Sequence, residues 1–366
     1  MTAPSLAAVG LIEALGDPTA LTGWSDADWD LFMRQARRVN LHARVALDQR
    51  IDRDRAPPRA RRYLVAGRAF AADNDRRVRW EVNRIAHALG PLDAPVMLLK
   101  GAAYVFAALP PARGRLISDV DIMVPRDRLD AVEAALIAAG WETMTLEPYD
   151  QRYYRRWMHE LPPMRHCERG SVIDVHHTIL PPTARLRPDP ALMWRAARAI
   201  DGRFHALAPA DMVLHSATHL FHDGDLALAL RDLVDLKDLC AHFGAVESGF
   251  WADLVPRAEA LDLARPLYYA LRYMGRILDA RVPPEVVAAA ARHAPPAPLL
   301  ALMDRLAPLA LLPDHPDRPR RATALALFLL YVRSHWLRMP PHLLIAHLAR
   351  KATNRLAADP DVETTR

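Results

Sequence analysis

Apolar positions recur at helical spacing over long stretches at both ends of the chain, and switch to short strand-like patterns only in the middle. Ser25 precedes Asp26, Asp28 and the run Trp29, Phe32, Met33, Ala36, which predicts a capped helix. Arginine-rich stretches with apolar stripes continue over 37–50 and 59–89, broken at Pro57-Pro58. At Pro91 the pattern changes. Val96-Met97-Leu98-Leu99 is a continuous apolar run that predicts a buried strand, and 101–109 is Ala-rich and helical until Pro110-Pro111. Residues 118–124 alternate polar and apolar, which predicts a second strand. An amphipathic helix over 126–139 is closed by Gly140, a strand is expected over 141–146, and 164–168 and 172–178 flank the turn signal Arg169-Gly170. From Pro209 the helical period returns over 210–221, 226–243, 251–260, 267–278 and 284–291, with last helices around Pro340-Pro341 and a polar tail over 359–366. This predicts an α+β protein: a helical region over 1–90, a small α/β core with a mixed sheet over 91–182, and a larger all-helical region over 183–366.

Composition agrees and excludes little. The 366 residues include 31 Pro and only 14 Gly, which favours helices separated by Pro-marked breaks. A net charge of +5 is small for this length and does not require a nucleic-acid partner. The two cysteines, Cys167 and Cys240, cannot make a structural zinc site alone and suggest a reducing compartment. The N-terminus shows no signal-peptide pattern, and the most apolar stretch, 322–332, is about half a bilayer-crossing length, so no stable membrane insertion and a cytoplasmic location are expected. Lysine occurs only at Lys100, Lys237 and Lys351, against an arginine-rich background that makes Lys100 conspicuous.

The candidate chemistry lies in Ser118-Asp119-Val120-Asp121-Ile122-Met123-Val124. In a strand, Asp119 and Asp121 project to one face, with Val120, Ile122 and Val124 on the other. Adjacent carboxylates repel unless a cation neutralises them, and hard oxygen ligands suit Mg²⁺ or Mn²⁺. Taken alone, a D-x-D pair is also a common solvated strand edge. Two features add to it. Upstream, Leu98-Leu99-Lys100-Gly101 runs from a strand into a helix, where Gly101 lets the backbone approach a phosphate and Lys100 can meet its charge. Downstream, Val172-Ile173-Asp174-Val175-His176 carries a third carboxylate on an apolar strand, completing a donor set for two divalent ions.

In this order (Lys-Gly, Arg-x-x-Ser-Asp-x-Asp with two apolar residues and Val, then Asp-x-His) the sequence resembles the nucleotidyltransferases of the DNA polymerase β superfamily, and within it a bacterial uncharacterised nucleotidyltransferase family. The likeness is tightest over 95–180 and extends loosely through 215–239, where His219, Arg231, Asp232 and Asp235 stand. It implies a nucleotidyltransferase core that moves a nucleotidyl group from an NTP to a hydroxyl-bearing acceptor, with release of pyrophosphate. The implied metal ligands and catalytic residues are Asp119, Asp121 and Asp174, the last also a possible base. Lys100, Gly101, Arg115 and Ser118 would hold the phosphates, with His176, His219, Arg231 and Asp235 as further nucleotide or substrate contacts. Two departures stand out: Lys-Gly replaces the superfamily's Gly-Ser, with Gly101 18 residues before Asp119, and the Arg115–Asp121 motif is one residue longer than the subfamily's.

Other readings compete at several positions. Arg115 also fits a surface loop, and His176 a hydrogen-bonded partner of Asp174 or of backbone. His215, His219 and His222 share one face of a helix, which fits a cleft lining better than a zinc stripe, since no H-E-x-x-H pattern is present. The apolar C-terminal helix with Arg333, Arg338, Arg350 and Lys351 is expected to pack in a core rather than touch a membrane. The acceptor is open among a small metabolite, a peptide or protein hydroxyl and an RNA end, as is the choice among ATP, CTP, GTP and UTP. The alternative function is a nucleotide- or partner-binding module on the same fold that lacks turnover.

Overall fold

The computed structural model describes residues 6–21, 23–144, 148–224 and 226–340. Among the described residues the fifteen α-helices are α1 (Leu6–Gly16), α2 (Asp26–Arg38), α3 (His42–Leu47), α4 (Pro58–Leu89), α5 (Lys100–Phe106), α6 (Leu129–Ala138), α7 (Pro148–Trp157), α8 (Pro190–Ala196), α9 (Pro209–Thr218), α10 (Ala229–Val246), α11 (Phe250–Ala260), α12 (Ala264–Leu278), α13 (Pro284–Ala291), α14 (Ala297–Leu311) and α15 (Arg321–Arg338). The strands are β1 (Met97–Leu98), β2 (Asp119–Met123), β3 (Trp141–Thr143), β4 (Met164–His166), β5 (Val172–His176), β6 (Arg198–Ile200) and β7 (Phe204–Ala206). They form one mixed sheet of order β3-β4-β5-β2-β1-β7-β6, parallel only at β2–β5 and β1–β7. The end of the expected strand over 141–146, the helix after Pro340 and the polar tail lie outside the described residues.

Local signals place most boundaries. Ser25 and Asp28 form a reciprocal capping box at the start of α2. Pro58 opens α4, where the N–H that proline lacks would have had no intrahelical partner. Gly140 takes a φ of 96° after α6, and Gly170 one of 68° between β4 and β5. The sheet runs past the expected end of the core at 182, because β6 and β7 extend it to Ala206. Their turn contains Asp201-Gly202, both with positive φ, an Asp-Gly hairpin signal that the flanking three-residue strands are too short to announce.

Alternation along β2 and β5 sorts residues into two cores. Val120, Ile122, Ile173 and Val175 pack with Val78, Val82 and Ile85 of α4 and Val132 and Leu136 of α6. On the other face, Met97, Leu99 and Met123 join the large core of the helical parts, which includes Leu214 of α9 and Leu230 and Leu233 of α10. Asp119 and Asp121 have the parity of Met123, so they face the C-terminal helices rather than α4. The N-terminal helices also touch the site: the Asn74 side chain of α4 donates to the Ile117 carbonyl at 2.8 Å and accepts from its N–H at 2.9 Å, pinning the segment before β2. Helix α15 meets the core-packing expectation only along one edge. Ala326 and Leu330 are buried, while Leu325, Phe328, Val332 and Trp336 are exposed. No helix among the described residues is long and apolar enough to cross a membrane.

Candidate active site

Parallel pairing of β2 with β5 sets Asp121 directly beside Asp174, and Asp119 beside Val172. The three carboxylates therefore share one face at adjacent strand positions, as the period of two requires. Asp121 is buried and doubly engaged: Lys100 Nζ donates to its Oδ1 at 2.7 Å, and His176 Nε2 lies 3.1 Å from the same oxygen. Lys100 reaches it from the first position of α5 with a φ of 44°, a left-handed conformation uncommon for a side-chain-bearing residue. That backbone outlier lies at the carboxylate cluster, where strained geometry is characteristically retained. His176 is also tethered on its other side, with Nδ1 3.2 Å from Glu160 Oε2. His159, Glu160 and His176 bring ligand-type atoms within 4.8 Å of one another beside Asp121.

The electrostatics separate the two paired aspartates. Burial would raise the Asp121 carboxyl, but the Lys100 ammonium and the His176 hydrogen bond hold it far below the usual carboxylate range. Asp174 moves the opposite way, to about 7, because burial disfavours its charge and the neighbouring Asp121 and Glu160 carboxylates add to the penalty. Its Oδ1 is buried with no hydrogen-bond partner among the described residues. Burial pulls the His176 imidazole down, but its bond to Asp121 and the Glu160 charge outweigh that and raise it. Burial, and then the charge of Lys100, drives His215 well below its ordinary value, so it stands as a neutral imidazole.

A cavity of about 210 Å³ opens in front of Asp119 and Asp121. Lys100, Gly101, Arg115, Ser118, His219 and Arg231 line it together with the two aspartates. Arg115 does not lie on the surface; it is buried over the Tyr104 ring and ion-paired with Asp235, with Asp232 Oδ1 3.5 Å away. Burial and then the Arg231 cation lower its basicity. Arg231 in turn donates to Asp232 from Nε and Nη2 at 2.9 and 2.7 Å.

A family model described as an uncharacterised nucleotidyltransferase matches residues 25–279. The chain belongs to that family. No curated protein and no solved structure matches it. The match spans the whole sheet, α2 to α4 before it and the helices through α12, so the nucleotidyltransferase unit includes helices on both sides of the strands.

Within this nucleotidyltransferase the eleven candidate residues fall into three positions. Lys100, Gly101, Arg115, Ser118, Asp119, Asp121, His219 and Arg231 meet at one cavity. Asp174 stands next to Asp121 in the sheet. Asp235 and His176 lie behind, Asp235 under Arg115 and His176 between Asp121 and Glu160, so that the aspartate His176 bonds is Asp121 rather than Asp174. The histidine face is interrupted: α9 ends at Thr218 and a π-helical turn runs over His219–Asp223, so His219 lines the cavity while His222 is buried. Glu160, Asn74, Tyr104 and Ser216 carry no sequence signal, because each reaches the site through tertiary contacts alone.

The donor set fits a hard divalent cation. Three carboxylates share a face, one of them has a buried oxygen without a partner, and its proton affinity is raised by its neighbours' charge.

Proposed function

We propose that this protein transfers a nucleotidyl group from an NTP to a hydroxyl-bearing acceptor and releases pyrophosphate. The observation that carries this reading is the register of Asp121 against Asp174 beside a cavity lined by Lys100, Arg115 and Arg231. Asp119, Asp121 and Asp174 would hold Mg²⁺ or Mn²⁺, which when bound neutralises phosphate charge and polarises the α-phosphorus. Lys100 and Arg231 line the cavity as cations positioned for a triphosphate, and Gly101 lets Ile117 and Arg115 pack against the start of α5: a Cβ there would lie 2.8 Å from Ile117 and 3.3 Å from Arg115 Nε. Asp232 and Asp235 orient the two arginines. Asp174, kept as a carboxylate by the bound cation, accepts the acceptor's hydroxyl proton. The hydroxyl oxygen bonds to the α-phosphorus, the bond from that phosphorus to the bridging oxygen breaks, and pyrophosphate leaves.

Binding without turnover is favoured by one observation: Lys100 Nζ sits on the Asp121 oxygen that a cation would use. Incubation with each α-labelled NTP, Mg²⁺ or Mn²⁺ and a cell extract separates the readings. Transfer is expected with the native protein and lost in the Asp119→Asn, Asp121→Asn variant. Label transfer that persists in that variant would overturn the mechanism, and saturable NTP binding without transfer would establish the second reading.

A further inference from the structure

Segment 117–119 is a partition rather than an edge. Ile117, Ser118 and Asp119 line the cationic cavity on one side and a second cavity, of about 280 Å³, on the other. The second is bounded by α4 and by the β4–β5 turn, at the start of the strand that carries Asp174. Its chemistry differs from the first. Trp80 is 51% exposed on its wall, Arg77 stands at its rim in a solvent-exposed ion pair with Asp73, and the buried Ser171 Oγ has no hydrogen-bond partner among the described residues. Asn74 spends its amide on the Ile117 backbone, so the partition is held from the α4 side.

A transfer between two molecules brings both substrates to the reacting atoms, and two adjoining cavities provide a place for each. The phosphate-suited cavity carries Lys100, Arg115 and Arg231. The other holds its cations in ion pairs, Arg77 with Asp73 and Arg169 with Glu81, and adds the Trp80 ring, over which Arg169 lies, and a hydroxyl that lacks a partner. We infer that the cavity between Trp80 and Ser171 receives the acceptor, and that the acceptor is a small ring-bearing hydroxyl compound. The inference rests on the nucleotidyl-transfer reading above. The volume holds about nine waters' worth of liquid, room for one ring-sized group. The ring would lie against Trp80 and take a hydrogen bond from or to Ser171 Oγ, presenting its hydroxyl past Asp119. Flanking α4 alternates Asp73 and Asp75 with Arg76, Arg77 and Arg79. A mixed-sign surface of this kind suits a small molecule better than an RNA end, which calls for a single-sign track.

Two variants test this. Trp80→Ala removes an exposed wall and leaves the fold intact; Ser171→Leu fills the cavity. Each is compared with the native protein in equilibrium binding of the four NTPs with Mg²⁺ and in transfer of α-label to an ultrafiltrate of cell extract, which contains only small molecules. NTP binding within about twofold of native and transfer reduced by about tenfold or more, with a raised KM for the ultrafiltrate, is expected. A matching loss of NTP affinity would give the cavity to the nucleotide and overturn the inference. So would unchanged transfer, or transfer that whole cell extract supports and the ultrafiltrate does not. A native protein that binds no NTP would instead overturn the nucleotidyl-transfer reading and this inference with it.

Discussion

Asp211 in α9 and Asp174 in β5 are both carboxylates removed from bulk water, and their surroundings differ in kind. Asp211 is fully buried, and Arg257 meets both of its oxygens, at 2.6 and 2.7 Å. A planar guanidinium matched to a carboxylate satisfies charge and hydrogen bonds together, which makes this pair a clamp between α9 and α11. Asp174 has instead the carboxylates of Asp121 and Glu160 as neighbours and one oxygen without a partner. Carboxylates crowded on one face repel each other, and in the proposed reading a divalent cation balances them. The helical region closes its buried charges, and the sheet face leaves them open for chemistry.

The contrast can be broken from either side. The largest expected effect is on transfer: Asp121→Asn should reduce it by about 1,000-fold, as loss of a principal charge-stabilising group does, read from label transfer at saturating NTP. The helical clamp should respond in stability instead. Arg257→Ala strands Asp211 as an unpaired buried charge and should cost about 3–5 kcal/mol by urea denaturation, with little effect on NTP affinity. If that variant lost transfer at unchanged stability, the separation of roles would fail.

Asp174 supplies a test with the sign reversed. Its folded value, about 7, is above the ordinary carboxyl value, so the folded state holds a proton that the unfolded chain releases. Stability without divalent cations should therefore fall as pH rises from about 4 to about 7, by on the order of 3 kcal/mol relative to Asp174→Asn. Saturating Mg²⁺ or Mn²⁺ should remove most of the difference, and a flat profile in cation-free buffer would show that Asp174 is not crowded.

The smallest effect is expected at Asp304. Arg272 bonds it at 2.8 and 2.5 Å and Arg276 at 2.8 Å, which holds its carboxyl below the usual range. Here the stabilisation is present above the ordinary carboxyl value and is lost as pH falls through the lower folded one. Asp304→Asn should cost about 1 kcal/mol at pH 7 and progressively less in acid, measured by thermal denaturation.

Much of the site was legible in the residue order. The common face of Asp119 and Asp121 follows from strand period alone, and so does the opposite, apolar face of Val120 and Ile122. Ser25, Pro58, Gly140 and Gly170 mark ends of elements because capping and positive φ are local demands. The β6–β7 hairpin was missed because three-residue strands carry no period, although Asp201-Gly202 signalled the turn. Arg115 in an arginine-rich chain gave no hint of burial, which depends on Asp232 and Asp235 more than a hundred residues later.

Sequence by itself determined that two carboxylates stand on one strand face, that a lysine and a glycine precede them at a strand-to-helix junction, and that a third aspartate lies on a later apolar strand. These are consequences of backbone geometry over a few residues. Only the tertiary structure decided that β2 and β5 pair in parallel with Asp121 against Asp174, that Lys100 and His176 bond the same Asp121 oxygen, and that Asp119 divides two cavities. Register between distant strands and the pairing of buried charges depend on which faces the whole chain removes from water, and that is set by the fold as a unit.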